Sequence, residues 1–445
     1  MDNYEFYIIA LNNVTLFFGI LIFSLLLHFY IFRTQVKSIL DPYFLAVISS
    51  VFCFAVVFLL YFTGNIPFYL ILSYSLTQLG FVLGLYTFSV KKLSFNDNAK
   101  IIIPNNKGNS LIAFYFFSFI YLVSQCVIYK LKGIPLFMES RLETFASGGG
   151  TGVLGRISDV SSIFSLYAFF LVIKIDKFRI SEIPKYLVLG LIFVTFFLSG
   201  SKSAFLIVFT VFWCYIIFAK INGGNYQTYF KLLKDNIKMI IAFSLLVVCF
   251  IIYIQSANVD TNVATNVEDK LNPVLALLLR FVHSGDIYWY AYPNDVYLKI
   301  PSSQWFAALF NDTLGLLRIM EWKDLPEAIG ITFKNIHHPS DIPQGPNGRH
   351  NVFGLIYYGF FGSIIFSYCL GVVLSFLRNK LPYLLRNDVF GGGVFTYLMS
   401  KSAAIDSDPM LTITYFNNIV FIFPILYLLY LVLIEFLRIN PNKYE

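Results

Sequence analysis

Arg349 and His350 stand side by side in the tract from Gly345 to Gly362, Gly-Pro-Asn-Gly-Arg-His-Asn-Val-Phe-Gly-Leu-Ile-Tyr-Tyr-Gly-Phe-Phe-Gly, which runs into an apolar stretch. A permanent guanidinium beside an imidazole, placed at the edge of a membrane span, suits proton transfer by His350 and phosphate binding by Arg349. The chemistry expected is that of an enzyme acting on a lipid-linked, anionic substrate. His283 follows Arg280 by three residues, so a helix there would put both on one face. His337 and His338 form a pair with adventitious metal-binding potential. His28 lies in the first apolar run and is expected to be hydrogen-bonded core or interface. Asp286, Asp159 and Glu139 are the alternative bases.

Two further places gather cations. The tract 131–157 holds Arg141 and Arg156, for which Glu139, Glu143 and Asp159 are competing ion-pair partners. Its glycines at 148, 149, 150 and 152 match no nucleotide fingerprint, because no strand precedes them and no Gly-Lys-Ser/Thr follows. At 199–203 the chain reads Ser-Gly-Ser-Lys-Ser between two apolar runs. If a helix starts there, its free N–H groups and Lys202 can bind an anion such as diphosphate. The competing reading is a snorkelling lysine in a tight hairpin capped by Ser201.

The elements that must position these residues are membrane helices. With 58% hydrophobic, 19% aromatic and only 13% charged residues, the 445-residue chain is too apolar for a soluble globular protein. Apolar runs near 6–32, 43–63, 66–90, 109–130, 158–173, 184–199, 203–219, 238–255, 352–377, 389–404 and 411–434 predict about eleven spans. The fold class expected is an all-α polytopic integral membrane protein, a single membrane domain over 1–445. The first run follows Asp2 and Glu5 with no cleavage signature, so it reads as a retained span. Cys53, Cys126, Cys214, Cys249 and Cys369 all fall in apolar runs, which argues against disulfides or a thiolate metal site.

With the N-terminus outside and the C-terminus inside, the inner loops collect Arg33, Lys37, Lys91, Lys92, Lys174, Lys177, Arg378 and Arg386, and the outer segments are net acidic. The net charge of +7 is then a topology signal rather than a sign of nucleic-acid binding. Two outer loops stand out, 131–157 and 256–350, and the second is too long for a connector. Segments 271–283 and 305–320 inside it look like short amphipathic helices lying on the outer membrane face. Trp289, Trp305 and Trp322 are expected as interfacial anchors, with stacking on sugar rings as the functional alternative.

The many-span layout, the large late outer loop, the Ser-Gly-Ser-Lys-Ser-Ala-Phe tract, the arginines of two outer loops and the Arg-His-Asn followed by spaced glycines together resemble the O-antigen polymerase (Wzy) family, and more distantly the O-antigen ligases. The family commonly carries arginine where this chain has Lys202; a lysine still serves there as a point charge. The resemblance implies a C-type membrane glycosyltransferase of the bacterial inner membrane, with its active site facing the periplasm. Its donor and acceptor partners would both be polyprenyl-diphosphate-linked oligosaccharides, a chain-length regulator is an open further partner, and no cofactor or nucleic acid is implied. His350 would be the base, with Arg349, Arg280, Lys202 and Arg141 as diphosphate or transition-state clamps and Arg156, His283 and Asn351 as substrate contacts. No metal is needed in this scheme, because cationic side chains can stabilise a good leaving group. In-line attack would invert the anomeric centre. A ligase would use nearly the same constellation. A flippase or transporter predicts charges inside spans, internal repeats and short loops, and no span interior here carries an obvious charge.

Overall fold

The computed structural model describes residues 1–88, 107–138, 151–173, 180–200, 204–222, 242, 246, 281–339 and 344–439. Its helices are α1 (Asn3–Asn12), α2 (Val14–Phe32), α3 (Pro42–Phe62), α4 (Phe68–Leu85), α5 (Lys107–Lys132), α6 (Thr151–Val172), α7 (Ile183–Leu198), α8 (Ala204–Ile221), α9 (Asp286–Ala291), α10 (Trp305–Leu309), α11 (Asn311–Leu316), α12 (Ile329–His337), α13 (His350–Asn379), α14 (Val389–Lys401), α15 (Pro409–Asn417) and α16 (Phe423–Ile439). The described residues contain no strand. Seven helical stretches among them are long and apolar enough to cross a membrane, and α7 with most of α8 adds two shorter apolar helices. A helix satisfies its own backbone polar groups, which lipid cannot do, so this is a helical membrane protein of many spans.

Several expected spans differ in detail. The first is divided at Asn13, whose backbone (φ −124, ψ 34) separates α1 from α2. The run at 389–404 yields only the 13-residue α14, about 20 Å long against the roughly 30 Å of a bilayer core. The run at 238–255 lies outside the described residues apart from positions 242 and 246. Helix starts follow local chemistry. Asp41 accepts from the Tyr43 amide at 3.0 Å, with Pro42 as the first residue of α3. Asp2 and Glu5 form a reciprocal capping box on α1.

The chain divides into two compact units, one of Met1–Lys92, Thr265–Pro382 and Met399–Thr414, the other of Leu93–Ala264, Tyr383–Leu398 and Tyr415–Glu445. In the first unit α4 packs along α13. Ser363, Ser367, Gly371 and Ser375 recur every four residues on α13 and are all buried. A Cβ on Gly84 would collide with the Tyr368 backbone oxygen, and one on Gly371 with that of Phe81. Small side chains at this spacing let two membrane helices approach to backbone contact. At one end of the pair Arg378 forks onto Asp41 with bonds of 2.9 and 2.7 Å.

Helix α13 is a hairpin. Gly359 takes φ 67 and ψ −170, a conformation essentially reserved for glycine, and the chain reverses there. His350 Nδ1 lies 2.9 Å from Ser367 Oγ, and Phe353 stacks on Phe366 at 5.6 Å. In one straight helix the first of these pairs would be about 25 Å apart. Residues 350–358 therefore form a short arm folded back on 360–379, and the spanning part begins at about residue 360 rather than at 352. Its 20 residues reach about 30 Å, enough to cross.

The segment after residue 281 enters the same core. Ile287, Tyr288 and Trp289 are buried among Phe6, Val56, Tyr74 and Phe353. Trp289 is 0% exposed, so it is a core residue and not the interfacial anchor expected. Trp305 and Trp322 are exposed, on or beside the short surface helices α10 and α11.

In the second unit α5 and α6 pack together through polar as well as apolar contacts, with Ser118 and Ser165 hydroxyls 2.6 Å apart. Residues Asn418–Ile422 form a π-helical turn between α15 and α16.

Candidate functional site

The first unit builds a polar cluster against the interior of α3. Ser49 and Ser50 sit seven and eight residues after Pro42, about 10 to 12 Å along the helix. Arg349 Nη2 donates to Ser49 Oγ, and to the Ser284 carbonyl at 3.2 Å. Its Nη1 lies 3.7 Å from Asp406 Oδ2. Ser50 Oγ donates to the same carboxylate oxygen at 2.9 Å, and the His350 amide donates to the Asp406 carbonyl at 3.3 Å. Asp406 follows the 3-10 turn Ser402–Ala404 that ends α14. Arg349 and Asp406 are each 2% exposed. The expected placement of Arg349 at a span edge is thus corrected. The reversal at Gly359 carries the start of α13 back alongside its own span, and Arg349 and His350 lie inside the helix packing. The expectation that no charge lies within the spanning bundle falls with it.

His350 is also sequestered. Its side chain is 0% exposed, bonded through Nδ1 to Ser367 and stacked on Phe81 with ring centres 5.0 Å apart. Asn351 Oδ1 accepts from the Tyr288 hydroxyl at 2.7 Å, and its Nδ2 donates to Thr77 Oγ1 at 2.8 Å. Both make good structural sense as ties between α4, α9 and α13. Arg349 Nε, His350 Nε2 and Asp406 Oδ1 have no hydrogen-bond partner among the described residues, although all three are buried. Enclosed donors and acceptors of this kind are uncommon in folded proteins and mark a place able to hold a polar group.

His283 is the more accessible histidine. It opens the turn that leads into α9, and Gly285 lets that turn close on α3, since a Cβ there would sit 2.9 Å from Val56 Cγ2. The Ser284 carbonyl accepts from both Cys53 Sγ, at 3.0 Å, and Arg349. The buried Arg349–Asp406 pair therefore holds the turn that presents His283. His283 Nδ1 is 3.9 Å from Asp286 Oδ2, with side chains 21% and 18% exposed. Its Nε2 is hydrogen-bonded to the Tyr7 hydroxyl. Burial pushes the Asp286 carboxyl up to about 7, against the opposing pull of His283 and Arg349. A carboxyl poised near neutrality next to an imidazole can hold or accept a proton.

Among the residues anticipated from sequence, Arg349, His350, Asn351 and His283 come together in this unit. Arg156 belongs to the other unit, where its Nη1 donates to Asn418 Oδ1 at 3.1 Å. Tyr397 there donates to Asp159 at 2.6 Å and accepts from Asn418 at 3.0 Å, next to the π-helical turn. Arg280, Lys202, Arg141, Glu139 and Glu143 lie outside the described residues. His28 is buried, with Nδ1 2.9 Å from the Ser24 carbonyl, as expected. His337 Nε2 donates to the Tyr290 carbonyl at 3.0 Å and His338 pairs with Asp2 at 3.6 Å. No metal-binding group of three or more side chains occurs among the described residues.

Asp406, Ser49, Ser50 and Tyr7 were not anticipated. The adjacent serines in an otherwise apolar span were the available signal for Ser49 and Ser50, and no local spacing pointed to Asp406. For Tyr7 there was none, because a tyrosine near the start of an apolar run reads as an interface residue. No protein-family model, curated protein or solved structure matches this chain, so its own residues carry the argument: a helical membrane protein with a buried Arg–Asp pair supporting a histidine–aspartate turn.

Proposed function

We propose that this chain is a membrane glycosyltransferase that joins polyprenyl-diphosphate-linked oligosaccharide repeat units into a surface polysaccharide of the O-antigen type, at the outer face of a bacterial inner membrane. The observation that carries the reading is the His283–Asp286 pair, partly exposed and held by a buried Arg349–Asp406 pair inside a helical membrane unit. An acceptor sugar hydroxyl would lose its proton to His283, steadied by Asp286, as the oxygen attacks the anomeric carbon of the donor glycan. The anomeric C–O bond to the diphosphate breaks, its electron pair leaves with the polyprenyl diphosphate, and the configuration inverts. We assign the base to His283 rather than His350 because His350 has no exposed surface from which to reach a hydroxyl. Arg349 positions the turn. The departing diphosphate is assigned to Arg280, three residues before His283 in sequence. The N-terminus-outside orientation, favoured by the basic loops, puts this chemistry on the periplasmic side. A ligase acting on a lipid A core acceptor would use the same groups.

The buried Arg349–Asp406 pair also favours a second reading, a flippase or transporter of the lipid-linked glycan, since charged pairs inside membrane bundles often line transport pathways. Proteoliposomes holding a fluorescent lipid-linked repeat unit separate the two. A ladder of longer glycans supports transfer, whereas movement of the intact unit across the bilayer without a ladder supports transport and overturns the enzyme reading.

A further inference from the structure

Helix α1 is expected from sequence to be merely the start of a span, yet one of its faces is given over to the His283 turn. Asn3, Phe6 and Tyr7 share that face by helical spacing. Asn3 Oδ1 accepts from Trp289 Nε1 at 3.0 Å and from the Tyr290 hydroxyl at 2.8 Å. Phe6 stacks on Trp289 with ring centres 4.1 Å apart. These three contacts help dock the helix. Tyr7 adds something else: its hydroxyl bonds His283 Nε2 while Asp286 faces Nδ1, giving a continuous Tyr7–His283–Asp286 chain whose phenol is half-buried rather than enclosed. Among the described residues, Arg349 and Cys53 also face this turn.

We propose that Tyr7 is a catalytic residue that meets the acceptor sugar and relays its proton to His283, an inference that rests on the transfer reading above. The acceptor hydroxyl gives its proton to the Tyr7 oxygen as Tyr7 passes its own proton to His283 Nε2. The acceptor oxygen bonds to the anomeric carbon, the diphosphate leaves with the electron pair of the broken C–O bond, and the imidazolium is balanced by Asp286. Nε2 is occupied by the phenol, so the sugar reaches the histidine through Tyr7 and not directly. The geometry parallels a general-base relay in which a hydroxyl, an imidazole and a carboxylate act in series.

The test compares full-length wild type with Tyr7→Phe and Asn3→Ala in proteoliposomes, using a lipid-linked repeat unit. Tyr7→Phe keeps the ring and its packing. Its kcat is expected to fall by about 10²-fold to 10³-fold, with KM within about twofold and an altered pH profile. Asn3→Ala loosens docking without touching the phenol and is expected to retain activity within about twofold. In ¹⁵N-histidine-labelled protein the His283 Nε2 shift is expected to move in Tyr7→Phe, a readout independent of turnover. Normal turnover in Tyr7→Phe, an unmoved His283 signal, or an equal loss in Asn3→Ala would each overturn the relay. A wild type that makes no ladder would instead overturn the transfer reading itself, and Tyr7's catalytic role with it.

Discussion

Replacing Asp406 by asparagine tests how the site is held. The carboxylate that faces Arg349 at 3.7 Å disappears, while the new side chain keeps an oxygen for Ser50 and the backbone carbonyl for the His350 amide. Arg349, 2% exposed, is left as a buried charge whose hydrogen-bond acceptors among the described residues are Ser49 Oγ and the Ser284 carbonyl. Breaking one side of a buried pair costs about 3–5 kcal/mol, and the two surviving acceptors place the expectation near about 3 kcal/mol. That is roughly a hundredfold change in the folding equilibrium. Replacing both partners, as in Arg349→Met with Asp406→Leu, removes the stranded charge and is expected to cost less than Asp406→Asn alone. Reversible unfolding in mixed detergent micelles would measure the single variants and the cycle. A cost below about 1 kcal/mol for Asp406→Asn, the scale of an exposed pair, would refute the claim that this pair is a buried support.

Other consequences follow from single positions. Gly359→Ala forces a side chain into a conformation reserved for glycine, so it is expected to lose about 1–3 kcal/mol and to weaken the His350–Ser367 contact; unchanged unfolding would contradict the hairpin. Gly371→Leu should be far more disruptive than Gly19→Leu, because the first drives a Cβ into the Phe81 backbone and the second meets open space; equal stability of the two would be evidence against the tight α4–α13 contact. Asp286 carries a pH signature. Its carboxyl is raised from the ordinary 3.8 to about 7, so the folded state holds the proton more tightly than the unfolded state. The stability it contributes is present below pH 4 and is lost as the pH rises through about 7. Asp286→Asn should remove that slope from a plot of unfolding free energy against pH, and a slope that survives the substitution would assign it elsewhere.

The general architecture was legible because its signal is apolar length. The runs at 43–63, 66–90 and 109–130 appear as Pro42–Phe62, Phe68–Leu85 and Lys107–Lys132 within a few residues. The site was legible only as a list of residue types. A glycine inside an apolar run reads as part of one span, so the reversal at Gly359 and the burial of His350 that follows from it were hidden. Arg349 beside such a run reads as a loop cation for the same reason. Its partner Asp406 lies 57 positions downstream in what reads as a short outer loop, and no local spacing links the two. Trp289 was misread because burial in a re-entering loop leaves no periodic pattern. The stripe Ser363, Ser367, Gly371 and Ser375 did carry a readable message, since small residues every fourth position announce a close helix partner. Nothing in it names α4 as that partner.

We propose that His283 and its supports move a glycan from one lipid carrier to another. The most direct measurement supplies purified, reconstituted protein with a lipid-linked repeat unit and quantifies both glycan length and free polyprenyl diphosphate by mass spectrometry. One polyprenyl diphosphate is expected to be released for each linkage formed, with both lost together in His283→Gln while that variant remains folded. A glycan that never lengthens, or release of the carrier diphosphate without a new linkage, would contradict it.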